Sequence, residues 1–484
     1  MTISLKIDGR EVEVAEGVTI MEAADAAGVR IPRFCHHPKL SAVANCRICA
    51  VEIKGREGLA MSCKEEARDG MEVMTDTMAV EVAREDVLEF MLANHPIDCP
   101  ICDRSGECDL QDIYFKHSRR RSRITEGKVK KPKAVVAGPH VMLDAERCIG
   151  CTRCIRFLNE FAGGGELGLF ERGERTEIGV LPGMEFANPY SLCTVDLCPV
   201  GALTSSDFRF KKRAWFLKSS ETICAGCARG CSAWLDHAEG VAYRLRPREE
   251  WMCDEGRLSY RELDPTMRLA SPRIVSDGEY VDVDWDGAIA RARELIGAAG
   301  ADKIACVLSA GASVEENLAL SKFAKEALGT NAVLWAGQPD DPSFADDLIR
   351  MSDKNPNSFG VKQISERGID QIEAGAGVVV LGTPSSGDVM LLMAARPAFV
   401  ILITSATGVK GRWADVIMPK PTHFEQDGTF VGEDGTARSF SRAIECEGGA
   451  VPAWESLGHL ARALGKSWDL DSAAACRGWG GIEP

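Results

Sequence analysis

The sequence predicts a multidomain protein, α+β up to about residue 270 and α/β beyond it. Three observations carry this. Apolar residues alternate with polar ones near the start and turn back at Asp8-Gly9. Sixteen of the nineteen cysteines fall before residue 254. After about residue 275, strand-like apolar runs alternate with helical stretches. A chain of 484 residues also exceeds one hydrophobic core, and its length suggests about three or four units.

The elements follow in order. Ile3, Leu5 and Ile7 alternate with Ser4, Lys6 and Asp8, and Val12 and Val14 resume the alternation after the turn. A helix is predicted from about Thr19 to Gly28. Hairpin, helix and cysteine-bearing loop is the order of a β-grasp ferredoxin. Residues 79–94 predict an amphipathic helix with Val80, Ala83, Val87 and Met91 on one stripe, stopped by Pro96 with His95 at its end. In the tail, Ile304–Leu308, Val378–Leu381 and Phe399–Ile403 read as strands, and Ser313–Leu328 as a helix. There is no repeat of fixed period and no low-complexity tract.

The net charge of −15 argues against nucleic acid as the main partner. Residues 116–133 hold nine Lys or Arg and one Glu, but no aromatics are interleaved for base stacking. That run reads as a solvated loop or a surface for an acidic partner subunit. No apolar run reaches the roughly 18 residues of a membrane helix. The N-terminus lacks the basic and apolar regions of a signal peptide, so a reducing compartment is expected, where structural disulfides are rare. A cysteine-rich protein there is usually a metal protein.

Spacing sorts the cysteines into four sets. The first is Cys35-x10-Cys46-x2-Cys49-x13-Cys63. Four thiolates on loops of a β-grasp unit suit a 2Fe–2S centre, although the first gap is longer than in plant-type ferredoxins. Zinc would also accept four cysteines, but it usually brings two short C-x2-C pairs and only one is present. The second is His95-x3-Cys99-x2-Cys102-x5-Cys108. A neutral imidazole in place of a thiolate leaves that site less negative, which raises its potential. The third is Cys148-x2-Cys151-x2-Cys154 with the remote Cys198-Pro199. A two-cluster ferredoxin would place cysteines at 158, 188, 191 and 194, where Leu158, Asn188, Ser191 and Thr194 stand. One 4Fe–4S centre is therefore predicted to survive. The fourth is Cys224-x2-Cys227-x3-Cys231-x21-Cys253.

Cys193, Cys306, Cys446 and Cys476 are left over; Cys306 lies in a strand-like run and reads as a small core residue. None has the His and acid neighbours of a nucleophile. The G-x-G-x-x-G at Gly163–Gly168 follows a predicted helix rather than a strand, so it is not read as a dinucleotide fingerprint.

CPICDRSGECDLQD, ERCIGCTRCIRF and DLCPVGALTS resemble the G subunit of bacterial NADH:quinone oxidoreductase, respiratory complex I, the counterpart of the mitochondrial 75 kDa subunit. The resemblance is close to about residue 270. The tail, with ADVIMP and HFEQDGTFVGEDG, is similar to that subunit's molybdopterin-oxidoreductase-like domain, and the fourth cysteine set resembles the cluster domain opening such enzymes. The resemblance implies one 2Fe–2S cluster on Cys35, Cys46, Cys49 and Cys63. It implies 4Fe–4S clusters on His95, Cys99, Cys102 and Cys108; on Cys148, Cys151, Cys154 and Cys198; and, off the main electron path, on Cys224, Cys227, Cys231 and Cys253. It also implies a bacterial source, because mitochondrial members lack the last set. The tail is short and has no Cys or Ser in the context of a molybdenum ligand.

The domains expected are a β-grasp 2Fe–2S domain (1–78), a 4Fe–4S segment with one histidine and three cysteines (79–135), a ferredoxin-like 4Fe–4S domain (136–215), a molybdopterin-oxidoreductase-type 4Fe–4S domain (216–272) and a degenerate molybdopterin-oxidoreductase-like α/β domain (273–484). The implied function is electron relay from an NADH/FMN subunit toward quinone, without catalytic residues of its own and without bound molybdopterin, FMN or NAD. Implied partners are the FMN/NADH-binding subunit, a second 2Fe–2S subunit, a ferredoxin-like two-cluster subunit and the quinone-site subunits. The expected location is peripheral, on the cytoplasmic side of the bacterial inner membrane. Two rivals remain. A molybdenum-dependent formate dehydrogenase would bind molybdenum. The diaphorase part of an NAD-linked hydrogenase shares the front motifs but usually ends near residue 230.

Overall fold

The computed structural model describes residues 1–480 apart from 119, 250, 301–302, 408–411 and 447. It divides into two compact units, Met1–Leu217 and Lys218–Pro484.

The first unit opens with a five-stranded mixed sheet in the order Arg10–Ala15, Thr2–Ile7, Glu72–Met74, Ala50–Ile53, Leu59–Met61. Ile7 pairs with Arg10, so Asp8 and Gly9 form a two-residue loop with φ of 48° and 78°. Positive φ at both positions matches the right-handed twist of the flanking strands. Leu5 and Ile7 point into the core, where they meet Ile20, Met21 and Ala24 of the helix Ile20–Ala26. Thr19 caps that helix in a reciprocal box with Glu22, and Gly28 leaves it at φ 71°.

The helix Met78–Asn94 ends at His95, as Pro96 predicts. Its buried face differs from the expected stripe. Val80, Arg84 and Leu88 are buried, while Ala83, Val87 and Met91 are only half-buried. Arg84 can occupy the core because its guanidinium donates to Glu81 at 2.8 Å and to the Ala50 carbonyl at 3.4 Å.

Residues 120–133 form a largely exposed loop, as expected, but several of its basic groups are paired within the chain. Arg120 pairs with Glu85 and Asp86, and Arg123 with Asp86 and Glu89, all acids of the Met78–Asn94 helix. Lys128 Nζ donates to the Leu92 and Ala93 carbonyls at 2.5 and 3.1 Å, which complements the negative end of the helix dipole. Lys133 pairs with Asp98 and Glu146, and Lys131 reaches the Thr176 carbonyl. Arg119 lies outside the described residues. The physical reason for the difference is that acids on a preceding helix share one face, which the basic run itself cannot reveal. Changing Asp86 to Asn and Glu89 to Gln together should therefore speed tryptic cleavage at Arg120, Arg121 and Arg123. The gap from the parent should narrow as salt screens the exposed pairs. Equal cleavage rates at low salt would show that the ion pairs do not hold the segment.

The remainder of the first unit has a sheet in the order Leu203–Ser205, Val141–Leu143, Val135–Val136, a hairpin of Leu167–Phe170 with Glu177–Val180, and the helices Arg153–Glu160 and Ser191–Leu197. The Gly163–Gly168 run leaves a helix and enters a strand, the reverse of a dinucleotide-binding turn.

The second unit begins with an antiparallel sheet of Lys218–Ile223, Ser232–Ala238 and Val241–Pro247. Its main sheet runs Glu279–Asp282, Arg273–Ser276, Val416–Pro419, Phe399–Thr404, Gly377–Leu381, Ile304–Ser309, Val333–Ala336. The last five of these strands are parallel, and the expected strands at 304, 378 and 399 are its centre. Both faces are packed. Ile304, Cys306 and Leu308 enter one core, and Ala305 and Val307 the other. That burial on both sides explains their unbroken apolar character. Cys306 is fully buried. Ser313 caps the helix Val314–Lys322, which continues as a π-helical turn Phe323–Leu328 up to Gly329. Among the described residues, no helix is long and apolar enough to cross a membrane.

Candidate metal centres

Cys35, Cys46 and Cys49 lie on the loop between the helix Ile20–Ala26 and the strand Ala50–Ile53, and Cys63 follows the strand Leu59–Met61. Ala44 and Arg47 bracket Cys46 at φ 50° and 62°, a costly backbone for side-chain-bearing residues. The Cys35 N–H donates to Cys46 Sγ at 3.4 Å. Hydrogen bonds from the Cys46 and Cys63 thiols hold Cys35 far below the usual thiol range, and that from Cys63 lowers Cys49 to about 7. The donors Cys46 and Cys63 are pushed up in return. Four sulfurs so placed cannot all ionise unless a cation joins them.

His95 caps its helix, Cys99 opens the turn Cys99–Ile101, and Cys108 is the N-cap of Asp109–His117. His95, Cys99 and Cys108 share a cavity of about 530 Å³ with Leu110, Tyr114 and Ile124. His95 Nδ1 is buried without a hydrogen-bond partner. Burial lowers its imidazole to about 4, so it is neutral at pH 7 and able to donate a lone pair to a metal. Cys102 is not part of that cavity wall. Its sulfur lies against Gly201, where a Cβ would come within 2.3 Å of it. Burial raises the Cys102 thiol and pushes Cys108 up to about 11.

Cys148, Cys151, Cys154 and Cys198 line a single cavity with Leu143, Ile178, Val200 and Leu203. Gly150 at φ 64° and Thr152 at φ 58° wind the motif tightly, and the Gly150 N–H donates to Cys148 Sγ at 3.4 Å. Burial pushes Cys148 to about 11, Cys151 to about 12 and Cys154 well above its ordinary value. Cys193 is buried on the helix Ser191–Leu197 and does not line this cavity.

In the second unit, Cys224 and Cys231 stand at facing ends of two paired strands, with the Cys224 N–H on the Cys231 carbonyl at 2.9 Å. Cys253 caps Asp254–Leu258 and accepts from the Gly256 N–H at 3.4 Å. A Cβ on Gly256 would lie 2.9 Å from Cys224 Sγ and 3.4 Å from Cys253 Sγ, so sulfurs distant in sequence are side by side. Burial pushes Cys253 to about 11 and Cys231 to about 12. Burial also raises Cys224, which feels the charges of the other three.

Among the described residues, no three His, Cys, Asp or Glu side chains are placed as ligands of one metal ion. What joins each set is a shared cavity, a close sulfur contact or buried electrostatic coupling. These buried and half-buried thiols, with one neutral imidazole, suit iron–sulfur clusters, whose iron offsets the cost of ionising the thiols.

Sequence reading missed the residues that join the sites. Arg147, beside Cys148, binds Asp98, beside Cys99, at 2.7 Å. The Asp109 N–H, beside Cys108, donates to the Pro199 carbonyl, beside Cys198, at 3.0 Å. Arg213 holds the Cys102 carbonyl at 2.7 Å, and Arg104 reaches the Val195 and Asp196 carbonyls. The available signal was that several of these arginines sit inside or next to the cysteine motifs.

Three family models match the first unit. Residues 1–78 match a 2Fe-2S iron-sulfur cluster binding domain, residues 84–123 the NADH-ubiquinone oxidoreductase-G iron-sulfur binding region, and residues 138–204 the ferredoxin-like domain of NADH-quinone oxidoreductase subunit 3. The chain is an iron–sulfur protein carrying ferredoxin-type modules, and its first three candidate sets lie within these spans. It is similar to the G subunit of NADH-quinone oxidoreductase from Streptomyces coelicolor, 36% identical over 401 residues, which are 81% of this chain and 47% of the relative. The Rickettsia felis G subunit is 40% identical over 335 residues, 68% of this chain and 50% of the relative. The Mycobacterium tuberculosis G subunit is 36% identical over 358 residues, 72% of this chain and 44% of the relative. Over these shared residues the chain belongs with the G-subunit family of NADH-quinone oxidoreductases, and it spans about half the length of the curated relatives it matches. A chain from a crystal structure of NAD+-reducing NiFe hydrogenase in the H2-reduced state aligns at 28% identity over 43% of this chain and 90% of that one. Its TM-score of 0.38 is too low to bear on the fold.

Proposed function

We propose that this chain is the iron–sulfur electron-transfer subunit of an NADH:quinone oxidoreductase, relaying electrons from an NADH/FMN subunit toward quinone. The observation that supports this most is the direct joining of three cysteine sets within one unit. The loops of Cys35 and Cys151 share Arg156, and Cys108 and Cys198 are joined through the Asp109–Pro199 hydrogen bond. The third set is thus joined both to the binuclear set and to the His95 set. The ligands would be Cys35, Cys46, Cys49 and Cys63 for a 2Fe–2S cluster. The 4Fe–4S clusters would use His95, Cys99, Cys102 and Cys108; Cys148, Cys151, Cys154 and Cys198; and Cys224, Cys227, Cys231 and Cys253. When bound, such clusters supply one-electron redox centres. The chain's own residues hold the sulfurs, exclude water from them and donate N–H groups to Cys46, Cys148 and Cys253. Neutral His95 keeps its site less negative than four thiolates would. The α/β tail is a molybdopterin-oxidoreductase-like scaffold, with no molybdopterin, FMN or NAD bound by this chain. Its partners are the FMN/NADH subunit, a second 2Fe–2S subunit, a two-cluster subunit and the quinone-site subunits, at the cytoplasmic face of the inner membrane.

The test is iron, sulfide and EPR on anaerobically prepared protein. About 14 irons per chain are expected, with no molybdenum. Cys198→Ser should remove one tetranuclear signal, whereas Cys193→Ser should leave every signal in place. The opposite pattern would show that Cys193 is the fourth ligand of the third set.

A further inference from the structure

Arg153 and Arg156 belong to the third cysteine motif but reach out of it. Both are 8% exposed. Arg156 Nη2 donates to the Cys35 carbonyl at 2.5 Å and the Cys151 carbonyl at 3.2 Å. Its Nη1 donates to the Ser41 carbonyl at 2.5 Å and its Nε to Thr152 Oγ1 at 3.3 Å. Arg153 donates to the His36 carbonyl at 2.7 Å and the Leu197 carbonyl at 3.3 Å, on residues adjoining Cys35 and Cys198. Asn45 Nδ2 adds a third tie, to the Gly150 carbonyl at 2.7 Å. Two guanidinium groups are therefore buried between the loop of the binuclear set and the loops of the third set. The hydrogen bonds of Arg156 go to neutral oxygens, and the carboxylate paired with Arg153, on Asp109, is 3.8 Å away.

We propose that Arg153 and Arg156 are positioning residues that clamp the two sites together and place two fixed positive charges between them, making both centres easier to reduce. This rests on the ligand sets proposed above. A buried positive charge is weakly screened and favours the state with one more electron on either side. A guanidinium does not lose its proton in a protein, so the bias does not vary with pH. Its planar fork also bonds two loops at once, which an ammonium does less well.

The experiment is potentiometric EPR of the cluster-loaded full chain, comparing the parent with Arg156→Met, Arg153→Met and Arg156→Lys. Each Met variant should shift the binuclear and the third tetranuclear signals together to lower potential. An about tenfold change in the oxidised-to-reduced ratio is expected, which is about 59 mV for a one-electron couple. In Arg156→Met, which leaves the Arg153–Asp109 pair beside Cys108 in place, the His95-associated signal should move much less. Arg156→Lys keeps the charge and should restore most of the shift. If Arg156→Met does not load its clusters, Arg153→Met decides by the same criterion, because it leaves every Arg156 contact in place. Unchanged potentials in a loaded Met variant, or movement of only one of the two signals, would overturn the proposal. A parent lacking either signal would instead overturn the ligand sets themselves.

Discussion

Replacing Gly201 with alanine should cost the chain the centre proposed on His95, Cys99, Cys102 and Cys108 and spare the one proposed on Cys35, Cys46, Cys49 and Cys63. Gly201 is close behind Cys198 in sequence, yet it abuts a cysteine of a different set. The added Cβ would lie 2.3 Å from Cys102 Sγ, 3.3 Å from Arg104 Cβ and 3.4 Å from Arg147 Cδ. None of these neighbours retreats easily. The Cys102 carbonyl is held by Arg213 at 2.7 Å, Arg104 by the Glu107 carbonyl at 2.9 Å, and Arg147 by Asp98 at 2.7 Å. Overpacking of this kind costs about 1–3 kcal/mol and is relieved by moving the least constrained atom, here the sulfur. A ligand sulfur displaced by a sizeable part of an ångström no longer closes its cluster. EPR of the reduced protein should lose the His95-associated signal, with about four irons fewer per chain. Full iron content with that signal unchanged would mean that Cys102 is not a ligand where the fold has placed it.

Lys420→Met should strongly destabilise the second unit. Lys420 Nζ meets Glu316 Oε1 at 2.7 Å, with both side chains over 90% buried. Glu316 lies in the first turn of the helix Val314–Lys322, and Lys420 directly follows the strand Val416–Pro419. Removing one partner of such a pair leaves a buried charge uncompensated, which costs about 3–5 kcal/mol. Burial alone would raise the Glu316 carboxyl, but the charge and hydrogen bond of Lys420 hold it below its ordinary value. An acid depressed in the folded state stabilises above its unfolded pKa, and that stability disappears as pH falls through the folded value. In the parent this contribution therefore persists through neutral pH and is lost only below the usual carboxylate range. In Lys420→Met the buried carboxyl takes up a proton more readily, so the deficit should be largest near pH 7 and shrink toward pH 5. Calorimetry of both proteins across that range checks this, and Lys420→Met with Glu316→Gln should recover part of the loss. A deficit independent of pH would show that the cost is lost packing rather than an unpaired charge.

Much of the first unit was legible because its signals are local. Asp8-Gly9 can adopt positive φ at both positions, and Pro96 ends a helix at His95, whatever the rest of the chain does. The interval between Cys154 and Cys198, with cysteines missing at 158, 188, 191 and 194, pointed to four thiols that the fold brings to one cavity. In the second unit, apolar runs such as Phe399–Ile403 read as buried strands, and the fold packs both of their faces. The buried helix face beyond Val80 was misjudged because hydrophobic periodicity places an arginine outside, whereas Arg84 is inside with both Nη groups hydrogen-bonded.

By itself the sequence determined where chain turns occur, which cysteines are spaced as sets, and where parallel strands replace the α+β pattern. Each depends on residues within one turn, one motif or one period. The tertiary structure alone decided that Arg120, Arg123 and Lys128 of the basic run meet the Met78–Asn94 helix, that Gly201 admits the sulfur of Cys102, and that Arg153 and Arg156 join two sites. These are meetings of segments far apart in the chain. Their energies come from distance, burial and charge compensation, which exist only once the elements have packed.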